Sequence, residues 1–142
     1  MSTGAQHISI LALGSRGDTQ PYLPLARGLQ QAGHSVQVVA GDEFADFVTG
    51  YGLDYAPAGI NFRAFVNDHM LAALESGQNT LRAVREIFRE GAHYVGVMNE
   101  RVRAACQGTD VIITGLVGAL MFHHFAEHAH IPLIYALTIP LP

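Results

Sequence analysis

The sequence predicts an open, doubly wound α/β fold, Rossmann-like, with about five parallel strands and helices on both faces of the sheet. Two observations predict it. Short apolar runs alternate with segments of helical periodicity, and the first strand, helix and strand fit within about 35 residues. Units of this kind close right-handed with parallel strands, and strands buried on both faces carry apolar residues at consecutive positions.

The elements follow in order along the chain. The first strand is Ile8 to Leu13 and the second is Val36 to Ala40, with a helix between them that Pro21 can begin and Gly33 can end. The remaining elements are a short helix over 43–51, a short strand over 53–56, strands over 110–114 and 133–137, and a helix over 117–129.

The longest helical pattern lies between the third and fourth strands. From about residue 79 to residue 106, apolar residues recur every three or four positions, which predicts one helix roughly 40 Å long with a single apolar seam. The seam consists of Leu81, Val84, Phe88, Gly91, Val95, Met98, Val102 and Ala105. The segment 59–77 before it is irregular, and we expect a loop there with a short helix around 65–74.

Composition restricts the class of protein. The chain has 142 residues, of which 49% are hydrophobic and 14% charged, and this excludes intrinsic disorder. Its 8 basic and 12 acidic residues give a formal charge of −4, and the dispersed arginines supply no concentrated positive field for nucleic acid or an anionic membrane. The single cysteine, Cys106, favours a reducing compartment. We therefore predict one cytoplasmic domain without a transmembrane segment, which would need about 20 apolar residues.

The loop after the first strand is the strongest candidate for a functional site. It reads Gly14-Ser15-Arg16-Gly17-Asp18-Thr19-Gln20-Pro21 and joins the end of a buried strand to a helix. Arg16 occupies the place of the second glycine of a dinucleotide fingerprint, and the chain has no lysine for a P-loop. From the residues alone, Asp18 or Thr19 can equally be the cap of the helix that Pro21 begins.

This loop and the segments after it resemble the amino-terminal domain of GT-B glycosyltransferases, in particular the group of sterol glucosyltransferases and antibiotic glycosyltransferases. The resemblance is carried by the loop through Tyr22, by Ala26-Arg27-Gly28-Leu29 and Ala32-Gly33-His34, by Phe44-Ala45-Asp46-Phe47-Val48 and by Gly52-Leu53-Asp54-Tyr55-Ala56-Pro57. Beyond residue 57 it is a similarity of pattern, in Asp110-Val111-Ile112-Ile113-Thr114 and Ala129-His130-Ile131-Pro132.

The resemblance implies an inverting transfer of a hexose from a nucleotide-diphosphate sugar to an acceptor hydroxyl, with Asp18 as the general base. A positioned carboxylate can take the proton that this hydroxyl loses. The residues expected to line the cleft with it are Gly14, Ser15, Arg16, Gly17 and Gln20. Phe62, Phe65 and Met70, in the irregular segment, form either an apolar wall for a lipid-like or natural-product acceptor or ordinary packing.

The resemblance also implies a second domain of comparable size that binds most of the sugar nucleotide. We therefore expect residues 1–142 to be a single truncated domain that is inactive alone. The expected partners are a small-molecule acceptor and the nucleotide-sugar donor as co-substrate, and no further cofactor is expected. The oligomeric state is left open.

Three alternatives compete with this interpretation. His124-Phe125-Ala126-Glu127-His128 matches the H-x-x-E-H pattern of zinc peptidases, but a third protein ligand is missing from the pattern and His130 lies too near to supply it easily. We therefore predict no metal site. A stand-alone binding module would keep the scaffold without catalysis. An NAD-dependent oxidoreductase would use Asp42 or Glu43 to hold a ribose.

Overall fold

A computed structural model describes residues 4–71 and 80–138 of the chain. Within these ranges, the strands are β1 (His7–Ala12), β2 (Ser35–Ala40), β3 (Asp54–Pro57), β4 (Val111–Thr114) and β5 (Leu133–Tyr135). They form one parallel sheet in the order β3-β2-β1-β4-β5. The order reverses beside β1, so the predicted doubly wound sheet is confirmed.

Helices cover both faces of this sheet. They are α1 (Arg16–Thr19), α2 (Tyr22–Gln31), α3 (Ala45–Thr49), α4 (Phe62–Phe65), α5 (Thr80–Ala105) and α6 (Leu116–His128), with a 3₁₀ turn at Asp42–Phe44 and a π-helical turn at Val66–Leu71. Most boundaries differ from the predicted ones by a residue or two, although β5 ends at Tyr135 rather than at residue 137. The predicted short helix around 65–74 is present as α4 and the π-helical turn, and residues 72–79 lie outside the described ranges.

The central strand β1 has apolar side chains on both faces. Ile10 packs into one core with Tyr22 and Leu23 of α2, whereas Leu11 packs into the other with Val102 of α5 and Phe122 of α6. Successive side chains of a strand point to opposite faces, so adjacent apolar residues in β1 require cover on both sides. Both cores meet at β1, and the carboxyl end of this strand leads into the loop that begins near Gly14.

The predicted apolar seam of α5 is buried towards its carboxyl end but exposed at Leu81 and Phe88. Met98 and Val102 are 3% and 0% exposed, whereas Leu81 and Phe88 are 82% and 74% exposed. The reason is length. A helix of 26 residues extends about 39 Å at 1.5 Å per residue, while strands of four to six residues extend only about 13 to 20 Å. In the described part of the chain, no helix is long and apolar enough to cross a membrane.

Candidate active site at the carboxyl end of β1

The loop after β1 turns at Gly14 and then forms a short helix. Gly14 has φ +131°, a conformation that side-chain-bearing residues rarely adopt. Ser15 follows in an extended conformation as the N-cap of α1, so Arg16 to Thr19 form a helical turn where we expected a glycine-rich loop. Pro21 then begins α2, as predicted.

Asp18 reaches back across this short helix to Ser15. Its Oδ2 accepts hydrogen bonds from the Ser15 backbone N–H (2.8 Å) and the Ser15 hydroxyl (2.9 Å). This is the carboxylate half of a capping box. Capping by Asp18 therefore occurs, but on α1 rather than on the helix that Pro21 begins. Thr19 is buried, and its hydroxyl donates to the carbonyls of Ser15 and Ala12.

The Asp18 side chain remains exposed to solvent rather than turned into the core. Tyr22, one turn further along, is 4% exposed, and its hydroxyl donates to the carbonyl of Ala136 after β5. Burial and, to a smaller extent, the negative charge of Asp18 raise the pKa of Tyr22. Tyr22 is therefore a core residue whose hydroxyl also links the start of α2 to the segment after β5.

A cavity of about 470 Å³ lies beside the loop and is called the loop pocket here. Its lining consists of Gly14, Ser15, Arg16, Gly17, Glu43, Phe44, Phe62, Arg63, Val66 and Asn67. Five of the predicted site residues are therefore brought together there. Asp18 and Gln20 are exposed next to the pocket but are not part of its lining. The Arg16 guanidinium carbon lies 4.7 Å from the centre of the Phe47 ring, a cation–π contact that holds this side chain towards α3.

A second cavity, of about 560 Å³, is almost entirely apolar and is called the apolar groove. It is lined by Ile60, Phe62, Phe65, Phe88, Gly91, Ala92, Tyr94, Val95, Met98 and Met121. Phe62 borders both cavities, and Phe65 packs edge-on against Tyr94 with ring centres 5.2 Å apart. Phe88, Gly91 and Val95 of the α5 seam thus line a cavity instead of packing into the sheet core. The side chain of Met70, the third predicted wall residue, lies outside what the structure describes.

Two acidic residues at the end of β2 hold the segment that carries Phe62. Asp42 Oδ1 accepts from the Gly59 N–H (3.0 Å), and Glu43 Oε1 accepts from the Arg63 N–H (3.1 Å). Burial, with added effects of these two negative charges, raises the pKa of Tyr55 to about 12. The sequence singled out both acids only as ribose ligands of an oxidoreductase. The position of both acids directly after β2 could have indicated a place at the site. The backbone N–H groups that they accept from are 17 and 20 residues away in sequence and could not be identified from it.

The histidine pattern on α6 does not gather a ligand set. Glu127 contacts His123 (3.2 Å) and His124 (3.6 Å), and the His124 side chain is 94% exposed. Among residues 4–71 and 80–138, no group of three or more His, Cys, Asp or Glu side chains could hold a metal ion.

A parallel sheet with this strand order, and with a cleft at the carboxyl end of β1, is the architecture of one half of a GT-B glycosyltransferase. Comparison with solved structures agrees. The calicheamicin glycosyltransferase CalG4 superposes with a TM-score of 0.74 over 97% of this chain and 34% of CalG4, at 16% identity, which shows the shared fold. The Streptomyces sp. SF2575 glycosyltransferase SsfS6, complexed with thymidine diphosphate, gives a TM-score of 0.59 at 26% identity over 93% of this chain and 38% of SsfS6.

Residues 8–140 match the Glycosyltransferase family 28 N-terminal domain, and the chain belongs to this family. A sterol 3-beta-glucosyltransferase of Eremothecium gossypii is 36% identical over 134 residues, covering 92% of this chain. The chain spans 10% of the length of that relative. The predicted relationship to the sterol and antibiotic glycosyltransferase group is therefore confirmed.

Proposed function

We propose that this chain is the acceptor-binding domain of an inverting glycosyltransferase that transfers a hexose from a nucleotide-diphosphate sugar to a hydroxyl of a lipid-like or natural-product acceptor. The observation that carries the proposal is the Asp18 carboxylate, which is exposed and is fixed by two hydrogen bonds from Ser15 at the carboxyl end of β1. Ligands of open α/β sheets bind at this edge.

Asp18 has the arrangement that a general base needs. Both hydrogen bonds from Ser15 end on Oδ2, and no hydrogen bond to Oδ1 is present within residues 4–71 and 80–138. Oδ1 can therefore accept the proton of the acceptor hydroxyl as its oxygen bonds to the anomeric carbon. The bond to the nucleotide diphosphate breaks on the opposite side, which inverts the anomeric centre. Such a base contributes a rate factor of about 10² to 10⁴.

The two cavities supply the acceptor site in this proposal. The apolar groove offers Phe62, Phe65 and the exposed face of α5 to a hydrophobic ring system, and the loop pocket offers polar groups next to Asp18. The name of the Eremothecium gossypii relative indicates a sterol acceptor, and a sterol combines an apolar body with a hydroxyl that can receive the sugar. The nucleotide sugar is bound mainly by a second domain, so the chain alone has no transferase activity.

The substitution Asp18→Asn in the full gene product tests the proposal. Asparagine keeps a similar shape but cannot take the proton, so we expect kcat to fall by about 10²- to 10⁴-fold with a small change in the KM of the acceptor. The measurement is steady-state transfer from a nucleotide-diphosphate hexose to a sterol. Asp46→Asn, at an exposed position of α3, is the matched control and leaves kcat unchanged.

Near-normal turnover of the Asp18→Asn variant would leave Asp18 with the capping role alone. An unmodified protein that binds the acceptor but transfers no sugar would instead favour the stand-alone binding module.

A further inference from the structure

Glu43 carries a buried oxygen that has no partner within residues 4–71 and 80–138. Its Oε1 accepts from the Arg63 N–H, but Oε2 has essentially no accessible surface and no hydrogen bond. A buried polar group left without a partner costs about 1 to 3 kcal/mol, and more when it is charged. Such atoms in folded proteins therefore require an explanation, and a ligand that completes the hydrogen bonding is one.

The location of Oε2 indicates where the missing donor would come from. Glu43 lines the loop pocket. Its Oε2 and the ring of Phe62 both lie next to Gly41. A β-carbon at Gly41 would lie 2.5 Å from Oε2 and 2.8 Å from Phe62 Cδ2, so no side chain could occupy this place without displacing them. Phe62 is also the residue that borders both cavities. Because Oε2 has essentially no accessible surface, a ligand reaches it only if the Phe62 ring or the Glu43 carboxylate moves.

We propose that Glu43 is a specificity-determining residue, whose Oε2 accepts a hydrogen bond from a hydroxyl or amino group of the acceptor other than the reacting hydroxyl. The inference rests on the proposed function. A carboxylate accepts hydrogen bonds and cannot donate them, so a ligand carrying a carbonyl at the same place is disfavoured. A site that leaves a buried polar group unpaired discriminates strongly against the ligand that lacks the partner.

The substitution Glu43→Gln tests this inference, because it retains an oxygen for the Arg63 N–H and can place a donating NH₂ where Oε2 lies. The probes are 5α-androstane-3β,17β-diol, its 17-amino analogue and its 17-ketone, which share one apolar ring system. The full gene product is assayed by calorimetric binding and by sugar transfer. We expect the unmodified protein to favour the diol or the amine over the ketone by about 10-fold or more, and Glu43→Gln to abolish or reverse this preference.

Glu100→Gln, on the exposed side of α5, is the control and keeps the original preference. Phe62→Ala keeps the Glu43 carboxylate, so we expect the preference for a donor to persist in it, and loss of this preference would assign the selectivity to Phe62 instead of Glu43. Equal binding preferences in the unmodified protein and in Glu43→Gln would overturn the inference and leave Glu43 a residue that only fixes the backbone at Arg63. If the unmodified protein showed the Glu43-dependent binding preference but transferred no sugar, the proposed function would be overturned and the inference about Glu43 would stand. The binding assay therefore tests the inference, and the transfer assay tests the proposed function.

Discussion

The carboxylate of Asp18 lies over the α-carbon of Gly14, in the space that a β-carbon at residue 14 would need. The Asp18 Cγ would be only 2.8 Å from such a β-carbon. Gly14 therefore does two things: it permits the turn at φ +131°, and it leaves room for the carboxylate to fold back onto Ser15. The orientation of the proposed base depends on the absence of a side chain four residues earlier.

This relationship predicts that Gly14→Ala impairs catalysis through Asp18. The added methyl group displaces the carboxylate from Ser15, and the backbone at φ +131° is strained by about 1 to 3 kcal/mol. We expect a loss of kcat in the full gene product comparable with that of Asp18→Asn, together with a lower melting temperature. Steady-state transfer and thermal unfolding are the measurements.

Gly28→Ala is the matched control for this substitution. Gly28 lies within α2, and a β-carbon there would meet no atom within 4 Å. We expect it to leave kcat unchanged and to raise stability by about 0.5 to 1 kcal/mol. Normal kcat in Gly14→Ala would show that Asp18 does not need its position against Ser15 for catalysis.

Cys106 predicts how stability depends on alkaline pH. The residue is 1% exposed, and burial raises the pKa of its thiol from 9.0 to about 11, although a hydrogen bond with Ser9 opposes part of this effect. Above pH 9 the unfolded chain loses the thiol proton while the folded chain keeps it. Because the unfolded state then binds fewer protons, stability falls as the pH rises from 9 towards 11.

We expect this thiol to remove about 1 kcal/mol of unfolding free energy between pH 8 and pH 10. Urea unfolding at both pH values measures it. Cys106→Ala lowers the free energy of unfolding at pH 8 because it leaves a small cavity. Between pH 8 and pH 10, however, the free energy of unfolding of this variant falls by about 1 kcal/mol less than that of the unmodified protein. An identical pH dependence in the two proteins would contradict the prediction.

The fold was predictable because its signals are local. Strand β1 carries apolar residues at consecutive positions, which is typical of a strand covered on both faces, and α2 ends at Gln31, two residues before Gly33 at φ +95°. The apolar spacing of α5 likewise gave its length. What covers α5 was not predictable from that spacing, since the exposure of Phe88 depends on how far the sheet extends beneath the helix.

The candidate site was predictable only in part. The residues of the loop after β1 are contiguous, so Gly14 to Gly17 could be grouped from the sequence alone. All four of these residues line the loop pocket. The hydrogen bond from the Arg63 N–H to Glu43 joins residues 20 positions apart, so no local sequence pattern could predict it. The bond from Ser15 to Asp18 depends on the short helix α1, which the glycine-rich sequence of the loop did not indicate.

The contact between α6 and the sheet predicts the effect of Gly118→Ala. Gly118 is buried on α6, and a β-carbon there would overlap the hydroxyl of Thr114, which donates to the Leu11 carbonyl at 3.0 Å. The same β-carbon would lie 3.5 Å from Leu11 Cβ, so the helix has no free space on this side. Either the hydroxyl loses its hydrogen bond or α6 moves outward, and we expect a loss of about 1 to 3 kcal/mol in urea unfolding.

Gly96→Ala provides the comparison, because Gly96 lies within α5 and a β-carbon there would meet no atom within 4 Å. Alanine favours the helix over glycine, so this variant is expected to gain about 0.5 to 1 kcal/mol. The two substitutions are chemically identical and differ only in what the methyl group meets. If both raised stability equally, α6 could shift away from Thr114 without cost, and close packing of this helix on β4 would not contribute to the stability of the domain.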